Sequence, residues 1–201
     1  NATVACASCH IQDNGFSDPG QFSEGFAGGL TDRNSMGLAN NRFYENGHFF
    51  WDERADTLED QVLEPIQNDV EMGLSLSQAV SNINAQSYSD YLFSQAFGST
   101  VVTSGRISTA LSQYLRSIVS YQTSFDIGLA QTGNVRDNFP NYTPAQNDGK
   151  ALFFSGRTQC ANCHVTNQQN NQAVFQPANP LNNGLDAGLS NPDNGLGAIS
   201  G

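Results

Sequence analysis

All four cysteines of the chain fall in two short runs, Cys6-Ala7-Ser8-Cys9-His10 and Cys160-Ala161-Asn162-Cys163-His164. A Cys-x-x-Cys-His run is the attachment signature of c-type haem. One turn of chain sets two thiols against the vinyl edge of a porphyrin and brings the following imidazole under the metal. The runs therefore predict two covalent haems, one on Cys6 and Cys9 with His10 as iron ligand, the other on Cys160 and Cys163 with His164 as iron ligand. A zinc site built from two Cys-x-x-Cys pairs and a pair of redox disulfides are the competing chemistries. A zinc ribbon holds its pairs closer together and has no use for a His after each, and a thioredoxin-type motif occurs once, inside a βαβ pattern. Haem attachment of this kind is completed outside the cytoplasm, so an exported, periplasmic protein is expected.

The segments that must position these runs read as mostly helical. Residues 57–66 open with acidic groups at a helix start and are expected to stop or kink near Pro65. Residues 75–83 and 88–97 read as short amphipathic helices, and 106–121 is the clearest, with Ile107, Leu111, Tyr114, Leu115 and Ile118 forming a stripe at helical spacing that reads as ordinary core packing. Ahead of the second run, Thr143 is a good N-cap, Pro144 suits the first helical position and Gln146 completes a capping box, so a helix carrying Ala151, Leu152 and Phe154 is expected beside the second haem. Only five residues precede Cys6, so the equivalent helix of the first haem is expected to lie upstream of the chain as given. Stretches rich in Gly, Asn, Asp and Ser at 12–42 and 166–201 read as loops. The fold class is mainly α: two cytochrome c-like haem domains with long irregular loops, divided near residue 140.

Composition narrows the partners. Eight Lys and Arg against nineteen Asp and Glu leave a formal charge of −11, with no basic face for a row of phosphates, so nucleic acid is excluded as a partner. No apolar run approaches the roughly 18–20 residues of a membrane span, and the N-terminus lacks the charged and apolar parts of a signal peptide, so an exported protein would be in its processed form.

Between the haem runs lie, in order, Arg33-Asn34-Ser35, the run His48-Phe49-Phe50-Trp51-Asp52-Glu53-Arg54-Ala55, Leu58-Glu59-Asp60-Gln61 with Pro65-Ile66, and Val70-Glu71-Met72. With these motifs in this order the chain resembles the bacterial di-haem cytochrome c peroxidases and their relatives, the di-haem enzymes that mature the tryptophan-derived quinone of methylamine dehydrogenase. The resemblance implies that residues 1–140 form the N-terminal peroxidatic haem domain, and that residues 141–201 begin a C-terminal electron-transfer haem domain that is cut short. It implies hydrogen peroxide as substrate and a small periplasmic redox protein, a monohaem cytochrome c or a cupredoxin, as electron donor; a homodimer is compatible with it. Two catalytic residues follow. Glu71 corresponds to the distal acid, since peroxide heterolysis needs a group that takes the proton from the inner oxygen and returns it to the departing one. Trp51, the sole tryptophan, corresponds to an indole between the haems, as electron relay, as interface-filling aromatic, or as both. Asn34 corresponds to an asparagine that helps to bind calcium, and Arg33 is placed to pair with a haem propionate. A di-haem oxidase acting on a protein or organic substrate and a pure electron-transfer cytochrome are the alternative functions.

Several positions depart from the family pattern. Many of these peroxidases carry a histidine in the loop after the first haem run that blocks the peroxide iron until the other haem is reduced; here Phe26 stands at that position, and no His lies between His10 and His48. An open first haem needing no reductive activation is therefore expected. His48 is a candidate distal ligand or interface histidine, and Met36 stands where proline is common. Residues 165–201 contain no Met, His or Tyr to serve as the sixth ligand of the second haem.

Overall fold

The structure is a computed structural model that describes residues 3–44, 46–167 and 172–176, with single positions at 188, 193 and 195. Helices α1 (Cys6–Cys9), α2 (Leu58–Gln61), α3 (Glu64–Gln67), α4 (Leu76–Asn84), α5 (Ser89–Phe97), α6 (Ser104–Ser117), α7 (Ser124–Thr132), α8 (Pro144–Phe153) and α9 (Cys160–Cys163) are joined by loops and short 3-10 turns, and strands β1 (Val165–Asn167) and β2 (Gln172–Gln176) form one antiparallel ribbon. The protein is mainly helical, as its sequence pattern requires. The ribbon occupies the start of the 166–201 stretch that read as loop; most of the rest of that Asn-rich tail lies outside the described residues.

The chain divides into two compact units, the first holding, of the described residues, 3–42, 47–118 and 195, the second taking those from 119 to 193 together with 43, 44 and 46. In the first unit the core forms where α6 meets α2. Leu58, Val62 and Leu115 are buried together, with Leu38, Phe49, Leu63, Leu111 and Ile118 packed around them. Thr103 caps α6 by accepting the Arg106 amide, and α6 ends at Ser117, where the carbonyl of Ile118 takes the amide of Asn40 at 2.8 Å, four residues short of the expected end at 121. Tyr114, counted in the apolar stripe, points outward and is exposed. The expected helix over 57–66 is two helices. Its break falls at Val62–Leu63, and Pro65 sits in the first turn of α3 rather than stopping a helix, because a residue without an N–H loses nothing at a helix start. A second joint fastens α2 to α6: Glu59 receives the Arg116 guanidinium on both carboxylate oxygens, with the Ser112 hydroxyl at 2.8 Å and the Ser108 hydroxyl on its main-chain carbonyl.

The second unit is organised by Phe139, which is 1% exposed. Its ring meets Phe125 and Tyr142 edge-on, the Lys150 ammonium lies 4.2 Å from its centre, and Asn147 of α8 clasps its backbone by accepting the Phe139 amide at 2.8 Å and donating to its carbonyl at 3.1 Å. Phe139 reaches this depth because Gly128 of α7 has no side chain; a Cβ there would lie 2.3 Å from the ring. These contacts tie α7 and the following loop to α8. For that reason the division by contacts comes at 118/119, earlier than the haem-domain boundary expected near 140. Helix α8 has its expected start, with Thr143 and Gln146 in a reciprocal capping box. Helix α7 was not anticipated, although Thr123 and Asp126 form the same kind of box.

Candidate functional site

Both Cys-x-x-Cys runs fold as a single helical turn closed by the same bond, His10 N to Cys6 O and His164 N to Cys160 O, each at 2.9 Å. The two histidines leave their turns with nearly equal backbone angles, φ −106°, ψ 76° for His10 and φ −96°, ψ 77° for His164. At the first turn the His10 ring lies with Nδ1 2.9 Å from the carbonyl oxygen of Phe16. Nδ1 therefore carries the proton and donates, leaving Nε2 as the free lone pair that an iron needs. Gly15, in the left-handed region at φ +68°, turns the chain so that Phe16 can make this contact. At the second turn the His164 ring is 6.1 Å from that of Phe153 at the end of α8, the helix expected beside that haem.

The second element of the first site is the turn that carries Glu71. Asn68 Oδ1 accepts the amides of Val70 and Glu71 at 2.8 and 3.1 Å, and its main-chain carbonyl accepts the Gly73 amide at 2.9 Å. The loop after the first haem run is stapled to this turn. The Phe26 amide donates to the Glu71 carbonyl at 3.0 Å, and Gly25 comes so close that a Cβ would sit 1.7 Å from the Val70 carbonyl oxygen. Phe26 lays its ring over Gly73, whose φ of +60° and close approach, 2.4 Å from a built Cβ to the ring, both demand glycine.

The electrostatics of Glu71 follow from that placement. Burial pushes its carboxyl above the ordinary carboxylate range; the positive charge of Arg54 opposes this and Glu64 adds to it. Burial likewise raises the Cys9 thiol, with the negative fields of Asp18 and Glu71 acting in the same direction. Glu71 is thus a half-buried carboxyl within electrostatic reach of both Cys9 and His10.

Trp51 and Asp52 close the arrangement. The indole Nε1–H donates to the Asn34 carbonyl at 2.9 Å. Asp52 is buried and pairs with two guanidiniums, Arg33 at 2.7 Å and Arg54 at 3.0 Å; burial raises its carboxyl, and the two arginines outweigh this and hold it below the usual range. Arg54 is further fixed by Glu64 at 3.0 Å and by the Phe50 ring 3.6 Å beneath it. Arg33, expected at a propionate, is thus paired with Asp52. His48 faces Asp56, with Nδ1 3.4 Å from Oδ1, on an exposed surface.

The first unit therefore gathers Cys6, Cys9, His10, Asn34, Trp51 and Glu71, while Cys160, Cys163 and His164 belong to the second. Asp52, Arg54, Asn68 and the Phe16 carbonyl were not assigned roles from sequence. The first two lay in plain view in the Trp51 motif, but the pattern gave no sign of what they would pair with. The arrangement suits a covalently held porphyrin: Cys6 is exposed and unpaired, His10 is oriented with Nε2 free, and Phe22, Leu30 and Trp51 expose large apolar surface on the same segments. Cys6, Cys9 and His10 would hold one haem, Cys160, Cys163 and His164 the other.

Two such turns on a mainly helical scaffold, the first with a half-buried carboxyl within electrostatic reach of its histidine, define a di-haem protein of the c type. Residues 1–134 match the profile of the di-haem cytochrome c peroxidases. The methylamine utilization protein MauG of Methylorubrum extorquens is 31% identical over 169 residues, which cover 83% of this chain and 45% of that protein. The cytochrome c peroxidase Ccp of Escherichia coli is 28% identical over 169 residues, 82% of this chain and 33% of that protein. A solved structure described as a MauG-like protein associated with microbial copper homeostasis superposes with a TM-score of 0.70 at 27% identity, covering 90% of this chain and 51% of its own. The chain belongs to the di-haem cytochrome c peroxidase family, and it spans about half or less of the length of these relatives.

Proposed function

We propose that this chain carries the peroxide-reducing half of a periplasmic di-haem peroxidase, which converts hydrogen peroxide to water with electrons from a small redox protein. The observation that carries the proposal is the half-buried Glu71 carboxyl, held on an Asn68-capped turn within electrostatic reach of His10. The haem, when bound, supplies the iron at which peroxide is reduced. Glu71 takes the proton from one peroxide oxygen and delivers it to the other, the task of a general acid–base positioned beside the reacting atoms. Burial suits it to both directions of transfer, because a raised carboxyl gives up and regains its proton closer to neutral pH. Phe26, packed on Gly73 with no ring nitrogen to offer, leaves the approach to this carboxyl free of a blocking imidazole. Trp51 relays electrons, and residues 141–201 belong to the unit that receives them. The chain's charge of −11 suits a basic monohaem cytochrome c as donor, or a cupredoxin with a basic face. Periplasmic placement is part of the proposal; among the described residues, no helix is long and apolar enough to cross a membrane.

A second reading, oxidation of a protein or organic substrate, is favoured by the 31% identity to MauG and uses the same residues up to Glu71. Steady-state turnover of the haem-loaded full-length protein with hydrogen peroxide and a reduced monohaem cytochrome c tests the first reading. Glu71→Gln is expected to lower turnover by about 10²–10⁴-fold with haem content unchanged. In the wild type, turnover falls as pH drops through the raised Glu71 value, since the carboxylate form is the one that accepts the first proton. Turnover unaffected by Glu71→Gln would overturn the assignment.

A further inference from the structure

Packing does not fix Trp51, which is 56% exposed. Two bonds between neighbouring dipeptides do so instead: Trp51 Nε1–H to the Asn34 carbonyl at 2.9 Å, and Arg33 to Asp52 at 2.7 Å. The Asn34 carbonyl is itself braced, because the side-chain amide of the same residue is engaged on three sides. Oδ1 accepts the Ser17 hydroxyl at 2.9 Å, and Nδ2 donates to the carbonyls of Asp18 at 3.1 Å and Gly20 at 2.7 Å. The bracing continues to the first haem run. The Ser17 hydroxyl also lies 2.7 Å from the Ser35 carbonyl, and the Ser35 hydroxyl accepts the Asp18 amide and donates to the carbonyl of Cys9, each at 2.7 Å.

We propose that Asn34 is a positioning residue for Trp51: its carboxamide, braced on Ser17, Asp18 and Gly20, holds the carbonyl that fixes the indole relative to the first haem-attachment turn. The functional meaning rests on the relay role given to Trp51 above; the geometry does not. An exposed indole that passes electrons needs one orientation, and here a second tier of hydrogen bonds supplies what burial does not. The position calls for a carboxamide, the one short side chain that presents an acceptor and two donors on a single plane. Asn34→Asp keeps the size and loses both donors, turning a carboxylate toward two carbonyl oxygens. Calcium binding would give the opposite sign, since a carboxylate is the stronger calcium ligand.

Ultraviolet resonance Raman spectra of the haem-loaded full-length protein provide the test, with the spectrum of Trp51→Phe subtracted so that the indole N–H band of Trp51 alone is read. The wild type is expected to show a hydrogen-bonded indole whose band is unchanged by a calcium chelator. Asn34→Asp is expected to move the band toward the free-indole position, and Ser17→Ala to move it the same way by less. If Asn34→Asp fails to fold, Ser17→Ala alone decides. A wild-type band in the folded variants, or a chelator shift equal to that of Asn34→Asp, overturns the proposal. The expected band shifts in a protein that shows no peroxide turnover would leave Asn34 as positioning residue and remove the peroxidase reading instead.

Discussion

Glu59→Gln removes the charge that fastens α2, and through it the Glu71 segment, to α6. The carboxyl is held at about 2 against an ordinary 4.5, first by the Arg116 guanidinium and then by the Ser112 hydroxyl, with partial burial opposing. Taken at full value that difference corresponds to about 3 kcal/mol. The Glu59 and Arg116 side chains are 37% and 33% exposed, so water screens the pair, and about 1–2 kcal/mol is the expected contribution. At this chain length the thermal midpoint should fall by about 2–8 °C at pH 7. The sign with pH is fixed by linkage. A carboxyl lowered in the folded state contributes its full stability above its unfolded value of about 4.5 and loses it as pH falls toward about 2. At pH 3 less than half of the contribution remains. Melts of the haem-loaded protein and of Glu59→Gln, followed by far-ultraviolet circular dichroism at pH 7, 5 and 3, should show a gap that is constant at the first two and shrinks at the third. A gap of equal size at all three, or none at pH 7, would refute the reasoning.

Two further outcomes follow from the first site. With Phe26 seated on Gly73, the resting ferric protein is expected to show a high-spin component in its electron paramagnetic resonance spectrum without prior reduction, and Phe26→His to convert that component to low spin; a wholly low-spin resting spectrum would contradict this. Gly25→Ala places a methyl group 1.7 Å from the Val70 carbonyl oxygen, so the staple beneath Glu71 must open at a cost of about 1–3 kcal/mol. Urea titration should report that loss, and peroxide turnover should fall toward that of Glu71→Gln with haem content retained.

Short-range patterns carried much of this protein in plain view. The two haem turns are five-residue signals, and the cap at Thr143 acts within three residues of itself, so a linear reading finds them. The start of α7 is just as local, a Thr123–Asp126 box, but its helix carries no apolar stripe. Proline breaks a helix interior but is at home in a first turn, and only the break at Val62 shows that the second applies to Pro65. Glu71 and Trp51 were named from the order of motifs, which says that residues act together and not how they are held. The holding is tertiary: Asp52 reaches Arg33 nineteen residues back, Trp51 reaches the Asn34 carbonyl across seventeen, and Ser112 and Arg116 reach Glu59 across more than fifty. Sequence determined which atoms are available for chemistry, since ligand type and local turn geometry are encoded within a few residues. The folded chain alone decided which of them meet and at what charge, because burial, ion pairing and the close approaches at Gly25, Gly73 and Gly128 arise only when distant segments are brought within a few ångströms.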